Sequence, residues 1–186
     1  MSLYFITGNA GKFREVKAII PEIEQLEIDL HEIQSPNPRE VVEHKLRDAT
    51  KHHTGEFIVD DTSVYCEFFD YKLPGPLIKG FLQALGSKRL AEIIASTGKV
   101  GVRVEAILGY TDGKEAAHYF DGQIEGTICM PSGDPLHGFG WDPIFKPNGH
   151  DKTFAEMSPE EKNSISHRAI AARKLKAFLD SRGEKI

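Results

Sequence analysis

The sequence predicts an α/β fold, a mixed twisted β-sheet flanked by helices. Three observations carry that prediction. The chain begins with a short apolar run, residues 3–7, that stops at Gly8-Asn9 and passes directly into helical spacing. Strand-like and helix-like segments then alternate along the chain. Two long β-rich runs, 100–110 and 116–129, flank Thr111-Asp112-Gly113-Lys114, whose composition is that of a hairpin turn.

The elements follow in order. Residues 3–7 read as a buried strand closed by a turn. Phe13, Val16, Ile19 and Ile20 recur at helical spacing, which predicts a helix over 12–20 that stops at Pro21. A second strand is expected over 25–30, before Ser35-Pro36-Asn37-Pro38 breaks the chain. Val41, Val42, Leu46 and Ala49 mark a second helix. Lys45 lies three and four residues from Val42 and Val41, so it falls on or beside the inward stripe. Residues 56–60 predict a third strand that ends in the acidic pair Asp60-Asp61. After the turn Leu73-Pro74-Gly75-Pro76, two shorter helical stretches surround Leu82 and Leu90, and the last element is helical through Leu179. No repeat, linker or low-complexity run appears, and 1–186 reads as a single domain.

Composition narrows the function classes. The chain has 186 residues, 40% hydrophobic and 27% charged, enough to bury a real core. Its net charge of −5 argues against a broad basic face, so no nucleic-acid partner is expected. No apolar run of about 18 residues and no signal peptide is present, which predicts a cytoplasmic protein without a membrane partner. Cys66 and Cys129 lack metal-type spacing and sit among apolar or β-forming residues, which predicts buried thiols rather than a disulfide.

Several constellations could carry chemistry. Thr7, Gly8, Asn9, Ala10, Gly11 and Lys12 join a strand to a helix N-terminus, where unpaired N–H groups aim at anions and Lys12 adds charge. The loop is neither a Walker A motif nor GxGxxG, and a plain strand–helix turn looks the same. Alternation along a strand should send Asp60 and Asp61 to opposite faces, leaving one to hold a cation or take a proton while the other serves structure. Glu32 is a candidate partner for them. Phe139-Gly140-Trp141-Asp142 offers two aromatics around a glycine, either a slot for a flat ring or core packing. Lys162, His167 and Arg168 cannot converge from one straight helix, where His167 and Arg168 would stand about 140° and 120° away from Lys162. Ser158-Pro159-Glu160-Glu161 is a helix start, so a break near 163–166 is expected, with a long helix beginning beside Arg168. The remaining histidines (31, 44, 52, 53, 118, 137 and 150) show no ligand spacing, and His44, His52 and His53 read as boundary residues of the second helix.

Taken in order, Thr7 to Lys12, Asp60-Asp61-Thr62, Leu73-Pro74-Gly75-Pro76, Phe139-Gly140-Trp141-Asp142-Pro143-Ile144-Phe145, and Phe154-Ala155-Glu156-Met157 through Lys162 to Ser166-His167-Arg168 resemble the inosine triphosphate pyrophosphatase, or Ham1-like, family. The resemblance runs from residue 3 to about 180. It implies an elongated sheet with two lobes around a central cleft, usually in a homodimer. It also implies Mg²⁺-dependent cleavage of ITP, dITP and XTP between the α- and β-phosphates, giving the monophosphate and pyrophosphate. Carried over by motif, Thr7, Gly8, Asn9, Ala10, Gly11, Lys12 and Lys45 bind phosphate, and Asp61 is the metal-linked acid and candidate base. Glu32 is a second metal ligand and Thr62 touches substrate. Phe139, Gly140, Trp141 and Asp142 hold the base, with Lys162, His167 and Arg168 closing on base and phosphate. Two positions depart from the pattern: Thr62-Ser63 follows the acids where many bacterial members have Ser-Gly, and Trp141 stands where others carry Tyr.

Overall fold

The computed structural model describes residues 2–114, 117–133 and 138–183; His137 and Ala116, the first residue of the fifth predicted β-run, lie outside them. Among the described residues the chain runs β1 (Leu3–Ile6), α1 (Ala10–Lys17), β2 (Ile23–Leu26), α2 (Pro38–Ala49), β3 (Glu56–Cys66), β4 (Pro74–Gly75), α3 (Ile78–Ser96), β5 (Gly101–Thr111), β6 (Ala117–Ile128), β7 (Phe145–Pro147), α4 (Pro159–Ile165) and α5 (His167–Gly183). The strands form one mixed sheet in the order β2-β1-β3-β5-β6-β7, with β4 on β3. β2, β1 and β3 are parallel, and the other pairings are antiparallel.

Strand parity divides the core into its clusters. Leu3 and Phe5 on β1 and Ile58 on β3 pack with Val16 of α1, with Ile20 just beyond that helix, and with Ala171, Ala172 and Leu175 of α5. Ile6, Phe57 and Val59 point to the other face and pack on Val42 and Leu46 of α2. Farther along the α5 face, Val64, Cys66, Val102 and Val104 meet α3, Trp141, Phe145 and Phe154. The cleft is lined by Ile6 and Val41 on one side and by Ile78, Leu82 and Trp141 on the other. Gly122 lets α5 lie close to β6, because a Cβ there would stand 2.1 Å from the His167 carbonyl oxygen.

Some expected boundaries shift. β2 covers Ile23–Leu26 rather than 25–30, since β1 offers only four residues for it to pair with. The segment after Leu26 leaves the sheet and lines the cleft. α1 begins at Ala10, capped by Asn9, and ends at Lys17 instead of running to Ile20. β3 does not stop at the acidic pair: β5 pairs with it as far as Cys66, so Asp60 and Asp61 are mid-strand. Pro74-Gly75 forms a two-residue strand on β3 as well as a turn. The two helical stretches around Leu82 and Leu90 meet at a kink at Gly86 (φ 73°, ψ 162°), a left-handed φ that suits glycine. Cys66 is buried, Cys129 half-buried, and both are free thiols.

Candidate active site

The acidic pair owes its position to unequal strand lengths. β1 stops at Ile6, and its last pairing with β3 is Phe5 with Ile58. β4 pairs with β3 only at Val64 and Tyr65. Between those points one edge of β3 is open, beside the loop that leaves β1. α1 joins β1 to β2 on one face and α2 joins β2 to β3 on the other. The crevice between β1 and β3 is therefore a topological switch point, where open α/β sheets bind ligands.

Parity sends Asp60 and Thr62 toward α1 and α5. Asp60 Oδ2 lies 2.9 Å from Lys12 Nζ and 3.4 Å from Arg168 Nε. Thr62 Oγ1 accepts from Arg168 at 2.7 Å. Burial alone would raise the pKa of Asp60, but Lys12, Arg168 and Lys45 outweigh it and hold the carboxyl at about 2.

Asp61 turns toward α2. Its Oδ1 lies 3.4 Å from Lys45 Nζ, and its buried Oδ2 has no hydrogen-bond partner among the described residues. Burial dominates, Lys45 and Lys12 offset it only in part, and the pKa is pushed up to about 6. Lys45 is buried, as its place on the inward stripe of α2 predicts. Its ammonium lies 2.9 Å from Glu32 Oε1 and donates to the Asp60 carbonyl at 2.9 Å. Burial would lower its pKa, but the charges of Asp61, Asp60 and Glu32 raise it, so Lys45 is a fixed cation.

Glu32 and Asp61 could together hold a divalent cation. Among the described residues no group of three or more His, Cys, Asp and Glu gathers for a metal. A hard cation such as Mg²⁺ fits the two-carboxylate set, since it takes one or two carboxylates and fills its shell with waters and phosphate oxygens. The unpartnered Oδ2 of Asp61 is the observation that favours this fit. Lys79, on α3, pairs with Glu32 at 3.2 Å from across the cleft.

Thr7, Gly8, Asn9 and Lys12 line the near wall. Asn9 Oδ1 caps α1 by accepting from Lys12 N–H at 3.0 Å, and Thr7 Oγ1 accepts from Asn9 N–H at 3.1 Å. Such a cap contributes about 1 kcal/mol and holds the positive end of the helix at the cleft. Ala10 and Gly11 are not on the wall. Gly11 lies beneath Phe139, where a Cβ would come within 2.6 Å of the ring.

Phe139, Gly140, Trp141, Asp142, His167 and Arg168 line the far wall. Trp141 is both core and wall, packed edge-on to Phe145 at 5.3 Å and 5.4 Å from the His167 ring. Asp142 Oδ2 accepts from Phe139 N–H at 2.9 Å and pairs with Lys162 at 2.6 Å, which closes the aromatic turn. The predicted break is present. Ser158 and Glu161 form a capping box for α4, Ser166 is extended (φ −66°, ψ 152°), and α5 starts at His167. The break brings Lys162 and Arg168 together on one carboxylate, that of Glu15.

Lys162 therefore stands behind the cleft wall, only 4% exposed, rather than on it. His167 is buried with both ring nitrogens unpartnered among the described residues. Burial, Arg168 and Lys162 lower its pKa well below 6.5, so it is neutral. Sequence reasoning missed Glu15 and Lys79. Glu15 had a signal, three residues from Lys12 on one helix, whereas Lys79 reaches the site only through the packing of α3.

Fold and cleft define a class: an α/β protein whose cleft, about 1160 Å³, sets buried carboxylates among lysine and arginine at a sheet switch point. The chain belongs to the Ham1 family, whose model matches residues 3–178. It is 39% identical to the inosine triphosphate pyrophosphatase of Schizosaccharomyces pombe over 97% of this chain and 96% of that one. It is 43% identical to the protein of that name from Fusarium vanettenii, with 94% of each chain covered. Among solved structures it resembles the Staphylococcus aureus Ham1 protein (TM-score 0.74, 25% identity, 97% and 98% covered). A Coxiella burnetii HAM1 protein shares the fold (TM-score 0.81, 23% identity, 96% and 98% covered).

Proposed function

We propose that this protein is a nucleoside-triphosphate pyrophosphohydrolase that cleaves ITP, dITP and XTP to the monophosphate and pyrophosphate, with Mg²⁺, and so clears deaminated purines. The observation that carries the reading is the buried Oδ2 of Asp61, unpartnered among the described residues, on a residue that lines a cleft holding phosphate-type cations at one end and an aromatic wall at the other. The names of the relatives from Schizosaccharomyces pombe and Fusarium vanettenii support it.

In this reading Lys12, Lys45 and the capped end of α1 bind the triphosphate, with Thr7, Gly8 and Asn9 presenting the loop. Water adds to phosphorus on one side of the α–β bridge, and the bridging oxygen leaves with the other fragment. Asp61, with a pKa of about 6, is ionised at neutral pH and accepts the proton of that water. Asp60 stays ionised and holds Lys12 and Arg168 in place. Glu32 and Asp61 would hold Mg²⁺, which when bound would neutralise charge on the phosphate oxygens. The purine lies against Phe139 and Trp141, beside His167. Arg168 or backbone N–H groups donate to a 6-keto oxygen, whereas the amino group of adenine leaves such donors unpaired, a contrast that can reach roughly 10⁴-fold. Lys162 acts from behind, holding Asp142 and through it the turn at Phe139. The proposal includes a homodimer, as the family resemblance implies, and a cytoplasmic location; no described helix is long and apolar enough to cross a membrane.

The test is pyrophosphate release from ITP, dITP, XTP, ATP and GTP with and without Mg²⁺. The expected result is Mg²⁺-dependent release that favours ITP and XTP by orders of magnitude. No release, or equal release from ATP, overturns the reading.

A further inference from the structure

Glu32 must be held in place, yet its surroundings are irregular. It belongs to the stretch between β2 and α2 that has no regular structure, and its side chain is 41% exposed. Among the described residues, the hydrogen bonds that tie the backbone of residues 27–34 to another element both end on its neighbour, His31. The His31 N–H donates to Asp48 Oδ2 at 2.9 Å, and His44 Nδ1 donates to the His31 carbonyl at 3.1 Å. A carbonyl oxygen only accepts, so Nδ1 carries the proton.

Both anchors come from α2, one turn apart, on the helix that carries Lys45. Residues 44 and 48 share a face, and position 45 is rotated by about 100°. One helix thus grips the loop through His44 and Asp48, and meets the Glu32 carboxylate through Lys45. Asp48 is buried though charged. The His31 N–H, followed by Lys51, holds its carboxyl at about 2, so it is an acceptor at any working pH.

We propose that Asp48, assisted by His44, is a positioning residue that clamps the His31 backbone so that Glu32 is presented toward Lys45 and Asp61. The inference rests on the reading of Glu32 as a metal ligand, and concerns what sets that ligand's position. Asp48 touches neither substrate nor metal. Groups that orient a ligand from outside typically change metal affinity by 10- to 100-fold when removed.

The experiment compares Asp48→Ala, Asp48→Asn and Glu32→Gln in the full chain. It measures Mn²⁺ binding to the nucleotide-free protein by calorimetry and amide exchange at His31 by NMR, alongside the Mg²⁺ dependence of turnover. Asn keeps an oxygen acceptor, so Asp48→Asn should retain His31 protection and near-normal affinity. Asp48→Ala should lose that protection and weaken Mn²⁺ binding about tenfold or more, with a matching rise in the Mg²⁺ needed for half-maximal turnover. An unprotected His31 amide in the unaltered protein overturns the clamp, whatever the variants do. If Glu32→Gln weakens Mn²⁺ binding and Asp48→Ala does not, the clamp is again overturned while the reading of Glu32 stands. If Glu32→Gln leaves Mn²⁺ binding unchanged, the reading of Glu32 fails and takes this inference with it.

Discussion

Asp60 and Asp61 are neighbours on one strand, yet their carboxylates serve opposite sides of the sheet. Asp60 is 2.9 Å from Lys12 of α1, whereas Asp61 is 3.4 Å from Lys45 of α2. One carboxyl stands at about 2 and the other at about 6. Adjacent residues of the same type thus acquire different tasks from pleating alone.

Asp61→Asn should abolish pyrophosphate release while leaving the circular dichroism spectrum unchanged. The unaltered protein should lose activity as pH falls through about 6, because the base is then protonated. Bound Mg²⁺ should move that acid limb lower, since a cation favours the ionised carboxylate. Activity in Asp61→Asn near the normal level would remove Asp61 from the mechanism.

Asp60→Asn should act on stability first. The folded-state pKa of Asp60 is depressed from 3.8 to about 2. Its contribution is therefore present above pH 3.8 and is lost as pH falls toward 2, and it amounts to roughly 2 kcal/mol. Denaturant unfolding at pH 7 should show about that loss in the variant, and the gap between the two proteins should narrow below pH 4. A gap that stays constant with pH would assign the loss to packing.

Gly122→Ala tests how closely α5 must sit on the sheet. The added Cβ would meet the His167 carbonyl oxygen at 2.1 Å and the Ala171 amide nitrogen at 2.7 Å, both backbone atoms. Overpacking of this kind costs about 1–3 kcal/mol. The strain falls at the start of α5, so turnover of ITP should drop along with the melting temperature. An unchanged turnover would show that the His167-Arg168 corner tolerates displacement.

Glu15→Gln removes the charge shared by Lys162 and Arg168, the latter only 2% exposed. Losing one member of a buried ionic group costs up to about 3–5 kcal/mol, and less than that here, because Lys162 keeps Asp142 and Arg168 keeps Asp60. The expected outcome is a lower melting temperature and a raised KM for ITP, read from thermal unfolding and steady-state kinetics. A change in neither would assign the far wall to other contacts.

The helical spacing of Val41, Val42, Leu46 and Ala49 was enough to place Lys45 on the inward stripe. The geometry of Lys162, His167 and Arg168 was enough to require the break that Ser166 supplies. Capping residues and hydrophobic periods are local properties, which is why both were legible. The end of β3 was not, because strand length depends on the partner: β5 carries β3 on to Cys66. Lys79 was missed for the same reason, as it meets Glu32 across 47 positions of chain.

By itself the sequence determined the α/β class, the capped start at Ser158, the opposed directions of Asp60 and Asp61, and the order of motifs that marks the family. These follow from backbone periodicity and from short-range hydrogen bonding. Only the tertiary structure decided that Asp61 keeps an unpartnered oxygen, that Glu15 gathers Lys162 and Arg168, and that Lys162 withdraws behind the wall. Burial and charge pairing depend on which distant segments meet, and nothing in a local pattern of residues records that.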